Sequence, residues 1–282
     1  MQSNPADVKH WSGAAPFWEK HREIIRQMFA PVTEAIVEEA LIGKGNSVLD
    51  IATGPGEPAL SIAARVGPEG RVVGIDPIPE MVAAACRAKD RLGLSNTEFE
   101  VGSAEPLAFP SDDFDAVVSR FGVMFFSSPV NAVREMLRVL RPGRKLALAV
   151  WCAVENNPYF SVLEGVLGRY VDSAQGAPDA PDPFRFARPG ALQDVLREAG
   201  AMTPSERRLS FSIEAPLSVE DFWTMRQEMS EKIRDKIALI APGKLPDVER
   251  EVLEALGAYS TENGLRFPAE VLVVSGTKSL RA

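Results

Sequence analysis

Val48-Leu49-Asp50-Ile51-Ala52-Thr53-Gly54-Pro55-Gly56-Glu57-Pro58 is the stretch whose reading decides the fold. An apolar run that reads as a strand ends in a Gly-x-Gly turn, and a helical pattern follows. Glycines lack Cβ, so the backbone at such a turn can bend sharply and approach a ligand closely. Alone the pattern is ambiguous. Gly54, Gly56 and Ala59 satisfy the G-x-G-x-x-A spacing of dinucleotide sites, and a plain strand-to-helix connection uses glycines too.

Downstream, Val72-Val73-Gly74-Ile75-Asp76 is a second apolar run, ending in an acid about twenty residues after the glycines. An acid so placed can accept hydrogen bonds from ribose hydroxyls, although it can also cap the next helix. Around these two stretches the chain alternates. Strands are predicted at residues 47–52, 71–75, 97–101, 115–119 and 145–151, and helices at 58–66, 79–92 and 129–140. Alternation of this kind implies βαβ units and a parallel sheet. The strands are rich in Val, Ile, Leu and Ala, as expected when helices cover both faces. Pro58 and Pro79 fall where helices start, and Pro142-Gly143 ends the helix before the 145–151 strand.

Outside this core, residues 1–41 read as helical, with Ile25, Met28, Phe29, Val32 and Ile36 at helical spacing, Pro31 dividing two helices, and an aromatic patch of Trp11, Phe17 and Trp18 before them. Residues 157–171 and 189–200 read as helices, 172–183 as a loop, and 207–214 as a strand. Residues 218–258 read as two or three amphipathic helices, with Ser218 as an N-cap, and 269–276 as a last strand. The fold class expected is α/β: a Rossmann-like, doubly wound, seven-stranded, mostly parallel sheet with a helical lid. Its parts are an N-terminal helical cover (1–45), a ligand-binding core (46–152), helices and a strand completing it (153–217), a helical lid insertion (218–263) and the final strand (264–282).

The formal charge of −8 argues against phosphate-backbone partners. Arg134, Arg138, Arg141, Arg144 and Lys145 cluster, but around a helix end, where cations suit the dipole. Neither Cys86 nor Cys152 has a second Cys or a His at metal-ligand spacing, so no metal is expected. There is no signal-like N-terminal apolar run, and the longest uncharged apolar run, 146–154, is too short to span a membrane. The reading is a cytoplasmic chain without nucleic-acid partners or a membrane span, a monomer or homodimer.

Taken in order, several stretches resemble one family, the class I S-adenosylmethionine-dependent methyltransferases of the ubiquinone/menaquinone-biosynthesis type. Leu49 to Gly56 is similar to the first family motif and Gly74-Ile75-Asp76 to the second. Gly102-Ser103-Ala104-Glu105-Pro106-Leu107-Ala108-Phe109-Pro110 resembles its G-D-A-E-x-L-P-F loop, Phe114 to Val118 its fourth strand, and Leu140-Arg141-Pro142-Gly143-Arg144 its L-x-P-G-G turn. The resemblance covers roughly 47–151 and returns weakly at 189–200 and in the last strand. It implies S-adenosylmethionine as cofactor and a small, hydrophobic organic acceptor, with oxygen or carbon favoured as the methylated atom.

By matching position, the resemblance makes Asp50 an orienter of the turn and of the ligand's amino group. Thr53, Gly54 and Gly56 approach the methionine part, and Asp76 and Pro77 the ribose. Ile78 and Met81 pack on adenine, Ser103, Ala104 and Glu105 border its edge, and Ser119, Arg120 and Phe121 lie beside the methyl group. Ser103 departs from the family's usual Asp, and Arg144 from its second Gly.

Transfer from a sulfonium needs alignment and exclusion of water. Phe121, Phe125 and Phe126 could offer cation–π faces or serve as core. If the acceptor needs a base, His21 and His10 are the only histidines, and both also read as exposed helix residues. Trp11, Phe17, Trp18, Trp151, Phe160, Phe184, Trp223 and Met225 are candidate acceptor-pocket residues. Two rivals stay open. An NAD(P)-dependent oxidoreductase is opposed by the absence of a lysine four residues after any tyrosine: Leu163, Ala174 and Asn263 stand there. A non-catalytic S-adenosylmethionine-binding protein is excluded by nothing in the sequence, although the degraded glycine turn that would support it is not found: Gly54 and Gly56 are intact.

Overall fold

The computed structural model describes residues 5–171 and 180–280, with side chains from Trp11 onward. Much of the expected 172–183 loop therefore lies outside the described residues. Three helices open the chain, α1 (Pro5–Lys20), α2 (Arg22–Met28) and α3 (Ala30–Glu39). The break between α2 and α3 falls at Phe29, with Pro31 in the first turn of α3, where the missing N–H is no loss.

The core follows as β1 (Ser47–Ile51), α4 (Ala59–Val66), β2 (Arg71–Asp76), α5 (Pro79–Leu92), β3 (Thr97–Val101), β4 (Phe114–Arg120), α6 (Pro129–Val139) and β5 (Leu140–Trp151). Then come α7 (Pro158–Leu167), α8 (Ala191–Glu198), β6 (Met202–Ala215), α9 (Val219–Met229), α10 (Glu231–Leu239), α11 (Leu245–Gly257), β7 (Ser260–Thr261) and β8 (Gly264–Thr277).

The strands form one sheet in the order β3-β2-β1-β4-β5-β8-β6. The first five run parallel, and β8 is antiparallel to both its neighbours. All seven residues of β4 are buried, which is why its central run, Ala116-Val117-Val118, is apolar without alternation. The order reverses between β1 and β4, and the crevice beyond the carboxyl ends of strands at such a point is where open α/β sheets bind ligands.

Two expectations need correction. Among the described residues the sheet has eight strands, because the two-residue β7 folds back on β8. β6 and β8 are also each fourteen residues long, well beyond the stretches read from sequence. The added length is mainly Met202 to Glu206 at the start of β6 and Gly264 to Pro268 at the start of β8, where Leu265 to Pro268 pairs with Ser212 to Ala215 as a two-stranded ribbon. Phe267 on that ribbon is fully buried against Tyr159 and Phe222, so packing from α7 and α9 holds an extension that buries one face only.

Helices α9, α10 and α11 pack together, α11 also meets α7, and α1 bridges α5 and α9. The Ser218 hydroxyl accepts the Asp221 N–H (3.0 Å) and caps α9 as expected. α1 is strapped at both sides: Glu19 binds Arg87 on α5, and Lys20 and His21 bind Glu228 on α9. Arg141 and Arg144 of the basic cluster both pair with Asp115 (2.9 and 3.2 Å), and Arg138 pairs with Glu135. Among the described residues no helix is long and apolar enough to cross a membrane.

Candidate active site

The turn after β1 is braced from beneath. Asp50 Oδ2 accepts the Thr53 hydroxyl (2.7 Å) and the Ala59 N–H (3.1 Å), joining the strand end to the first turn of α4. Ala52 and Gly54 both have positive φ, and Gly56 sits at φ +103°. A Cβ at Gly56 would lie 2.8 Å from the Leu60 side chain, so strain and crowding both require glycine there. Burial pushes the Asp50 carboxyl up to about 7, against the pull of its hydrogen bonds and of Arg120.

Asp76, at the end of β2, ties the neighbouring turn. Its Oδ2 accepts the Gly54 N–H (2.9 Å) and its Oδ1 the Ile78 N–H (3.0 Å). Each oxygen keeps acceptor capacity beyond these bonds. Burial pushes this carboxyl up to about 6, the two N–H bonds partly offsetting it.

A cavity of about 480 Å³ opens above these turns, at the carboxyl ends of β1, β2 and β4. Thr53, Gly54, Asp76, Pro77 and Met81 line it. So do Ser103, Ala104 and Glu105 on one side, and Arg120 and Phe121 on the other. Ser103 Oγ accepts the Glu105 N–H and donates to the Glu105 carbonyl, while Glu105 Oε1 accepts the Ser128 N–H.

Three residues expected at the ligand stand behind the wall instead. Asp50, Gly56 and Ser119 do not line the cavity. Successive strand residues face opposite sides, so where Ile51 and Arg120 reach the cavity, Asp50 and Ser119 turn away, and Ser119 Oγ donates to the Ile51 carbonyl (2.8 Å). His21 is also displaced from its expected place. Its Nε2 lies 2.6 Å from Glu228 Oε2, in the strap between α1 and α9, and the residue is not part of the cavity wall. The side chain of His10 lies outside the described residues.

Sequence reasoning missed Arg22 and Glu57 and left Trp18 as one aromatic among many. All three line the cavity. Glu57 is almost fully buried, 3.6 Å from Arg22 Nη1, with its second oxygen accepting the Ser61 hydroxyl. Trp18 Nε1 and Arg22 Nη1 are buried and make no hydrogen bond. Buried donors without acceptors are costly, and both belong to residues that line the one cavity. Trp18, near the end of α1, and Arg22, at the start of α2, stand four residues apart across the junction at His21, and that spacing was the available signal.

Phe121 has φ +65°, uncommon for an aromatic residue. Its ring stacks on Trp151 at 4.4 Å and 1°, and Phe29 meets both edge-on. A Cβ at Gly122 would fall 2.5 Å from Ala52 Cβ, so the turns after β1 and β4 interlock.

The donor set fits an adenosyl amino acid. A buried carboxylate stands where a diol would lie, with Ile78 and Met81 beside it as an apolar clamp, and orphaned N–H donors next to a carboxylate suit a zwitterion at the other end. Among the described residues no group of three metal-ligating side chains converges.

Comparison with known proteins agrees with this geometry. Residues 48–143 match a family described as a methyltransferase domain. The chain is 27% identical to nocamycin O-methyltransferase of Saccharothrix syringae, over 89% of this chain and 91% of that one. It is 33% identical to demethylmenaquinone methyltransferase of Listeria welshimeri over 46% of this chain, a match spanning 58% of that enzyme's length. In fold it is similar to the YcgJ protein of Bacillus subtilis, with TM-score 0.55 and 21% identity over 89% of this chain and 99% of that one.

Proposed function

As the chain is a class I S-adenosylmethionine-dependent methyltransferase of the ubiquinone/menaquinone type, we propose that it methylates oxygen or carbon of a small, largely apolar organic acceptor. The observation that carries this reading is the apolar character of the cavity wall. Ile25, Phe29, Phe125 and Phe126 make it aromatic and aliphatic, the lining an apolar small molecule requires, while Trp11 and Trp18 pack against Ile78 and Met81. The O-methyltransferase relative that matches along nearly its whole length supports the choice of atom.

The cofactor supplies a methyl group on a sulfonium, already activated toward displacement. The protein's residues then bind, orient and exclude water. Asp76 accepts the ribose hydroxyls, and Ile78 and Met81 flank the base. The backbone at Gly54 lets the methionine part come close, and Ala104 and Glu105 border the base edge. Arg22 and Trp18 donate to the amino acid's carboxylate, while Glu57 receives its ammonium. Asp50 and Ser119 act through the turns they brace. Phe121 presents its ring beside the sulfonium, where cation–π attraction adds to packing. Residues 5–45 and 218–263 form covers over the acceptor, held together by the Glu228 strap, and closing them keeps water out.

The test is incubation with methyl-deuterated S-adenosylmethionine and a fractionated small-molecule extract, read by mass spectrometry. Labelled methyl in an apolar small molecule is the expected result. Label transferred to protein or RNA, or cofactor binding with no transfer from any fraction, would overturn the reading.

A further inference from the structure

One charge in the cavity is left over when the cofactor's groups have been assigned. Arg120 lines the cavity at the end of β4, yet is only 8% exposed. Its Nη1 donates to the Thr33 hydroxyl (2.8 Å) and, more weakly, to the Phe29 carbonyl (3.5 Å), and its Nη2 to the Glu57 carbonyl (3.5 Å). All three acceptors are neutral, and two of the bonds are long. A guanidinium has five N–H donors, so much of its capacity is unspent. Among the described residues it forms no ion pair.

A guanidinium this buried stays charged and needs an anion or strong acceptors to offset desolvation. Glu57 and Asp50 act on it through space, and Arg22 stands across Glu57. Arg22, not Arg120, carries the orphaned donor beside Glu57, which suits it to the cofactor's carboxylate. Arg120 instead neighbours Phe121, at the strand end that approaches the acceptor. Three contacts hold it in place before any ligand arrives, as pre-organised electrostatic stabilisation requires.

We propose that Arg120 binds the acceptor's reacting oxygen as an oxyanion, so that the acceptor is an oxygen acid, a phenol or enol or a carboxylic acid, that reacts in its ionised form. This rests on the cofactor reading above. The acceptor loses its proton to solvent on binding. The oxyanion's lone pair then forms the new C–O bond while the C–S bond breaks, its electron pair staying on sulfur. The negative charge on oxygen and the positive charge on sulfur cancel, and no protein group takes a proton. A base such as His21 is not needed.

The test uses the whole chain saturated with S-adenosylhomocysteine and two probes. 4-Nitrophenol reports ionisation through its visible absorbance, and 4-nitrobenzoate represents the carboxylic acids. The wild type should lower the ionisation midpoint of bound 4-nitrophenol by about one pH unit, a tenfold preference for the anion, or should bind 4-nitrobenzoate in a calorimeter. Which probe binds identifies the acid class. Arg120→Gln should abolish the preference, and Arg120→Lys should keep most of it. The Gln variant also separates Arg120 from Asp50, which titrates over the same range.

Neither probe binding, an unchanged or raised midpoint in the wild type, or a preference that survives in Arg120→Gln overturns the proposal. So does a tenfold loss of S-adenosylhomocysteine affinity in Arg120→Gln with 5′-methylthioadenosine unaffected, since Arg120 would then read the cofactor's carboxylate. The wild-type midpoint needs no variant to fold. A wild type that does not bind S-adenosylhomocysteine refutes the cofactor reading first, and is recognised before any probe is added.

Discussion

Asp76→Ala separates a ligand contact from a structural one. Two ribose hydroxyls donating to an ionised carboxylate are each worth ~1.5–3 kcal/mol. Taking the lower figure for both, about 3 kcal/mol is lost, and affinity for S-adenosylhomocysteine should fall roughly 100-fold. The same substitution acts twice on the free protein, with opposite signs. It strands the Gly54 and Ile78 N–H groups, at ~1–3 kcal/mol each. It also removes a carboxyl that burial has pushed from 3.8 to about 6, a charged form that costs the folded state about 3 kcal/mol above pH 6. These nearly offset, so Tm should move by only a few degrees. Calorimetric titration with S-adenosylhomocysteine, paired with a thermal melt, reads both quantities. Affinity within threefold of wild type in a folded variant would refute the assignment of Asp76 to the ribose, and with it the orientation of the ligand in the cavity.

Acidification should weaken cofactor binding: the raised Asp76 pKa means the free protein protonates this group as pH falls through 6, whereas the hydroxyls need the carboxylate. Affinity should drop up to about tenfold per pH unit below 6, with proton release on binding seen as buffer-dependent heats; a flat profile from pH 7 to 5 counts against it. Arg22→Met should weaken S-adenosylhomocysteine by on the order of tenfold and leave 5′-methylthioadenosine, which lacks the amino-acid end, unchanged; equal loss for both ligands places Arg22 elsewhere. Gly122→Ala brings a Cβ within 2.5 Å of Ala52 and 2.6 Å of Ser119 Oγ, and should lower Tm by on the order of 5 °C. His21→Ala should cost some stability through the lost Glu228 contact but keep S-adenosylhomocysteine affinity and methyl transfer within about threefold; a much larger loss of transfer would restore His21 as a base.

The parts of the fold legible in the sequence are those where the backbone environment dictates residue type. β1, β2 and β4 are buried on both faces and read as apolar runs, and Gly56 is dictated by its φ and by Leu60. The same burial hid which face each strand residue takes. Without polar alternation nothing in Val48 to Ala52 or Ala116 to Phe121 says that Asp50 and Ser119 turn away while Arg120 turns in. The β6–β8 ribbon was underestimated for a different reason. Its outer part carries Pro268, which argues against a strand from sequence alone, and tertiary packing of Phe267 against α7 and α9 holds it in the sheet.

Arg22 and Glu57 were harder still, and Arg120 was placed by resemblance alone, because each is ordinary in its own segment and acquires meaning only from the other two. Arg22 belongs to α2, Glu57 to the turn before α4, and Arg120 to the end of β4. Arg22 meets Glu57 only when the N-terminal helices dock on the sheet. The Thr33 hydroxyl and Phe29 carbonyl that hold Arg120 come from the same helices. Docking thus supplies the second guanidinium that balances Glu57 and Asp50, and fixes the first. A buried ion cluster of this kind adds little net stability and is strongly disturbed by loss of one member. Its retention follows from what it offers a ligand: charges held in a dry cavity without reorganisation. The N-terminal helices are in that sense part of the site as well as its cover, since without them Arg120 and Glu57 face each other's surroundings with neither the hydroxyl nor the second cation that sets their geometry.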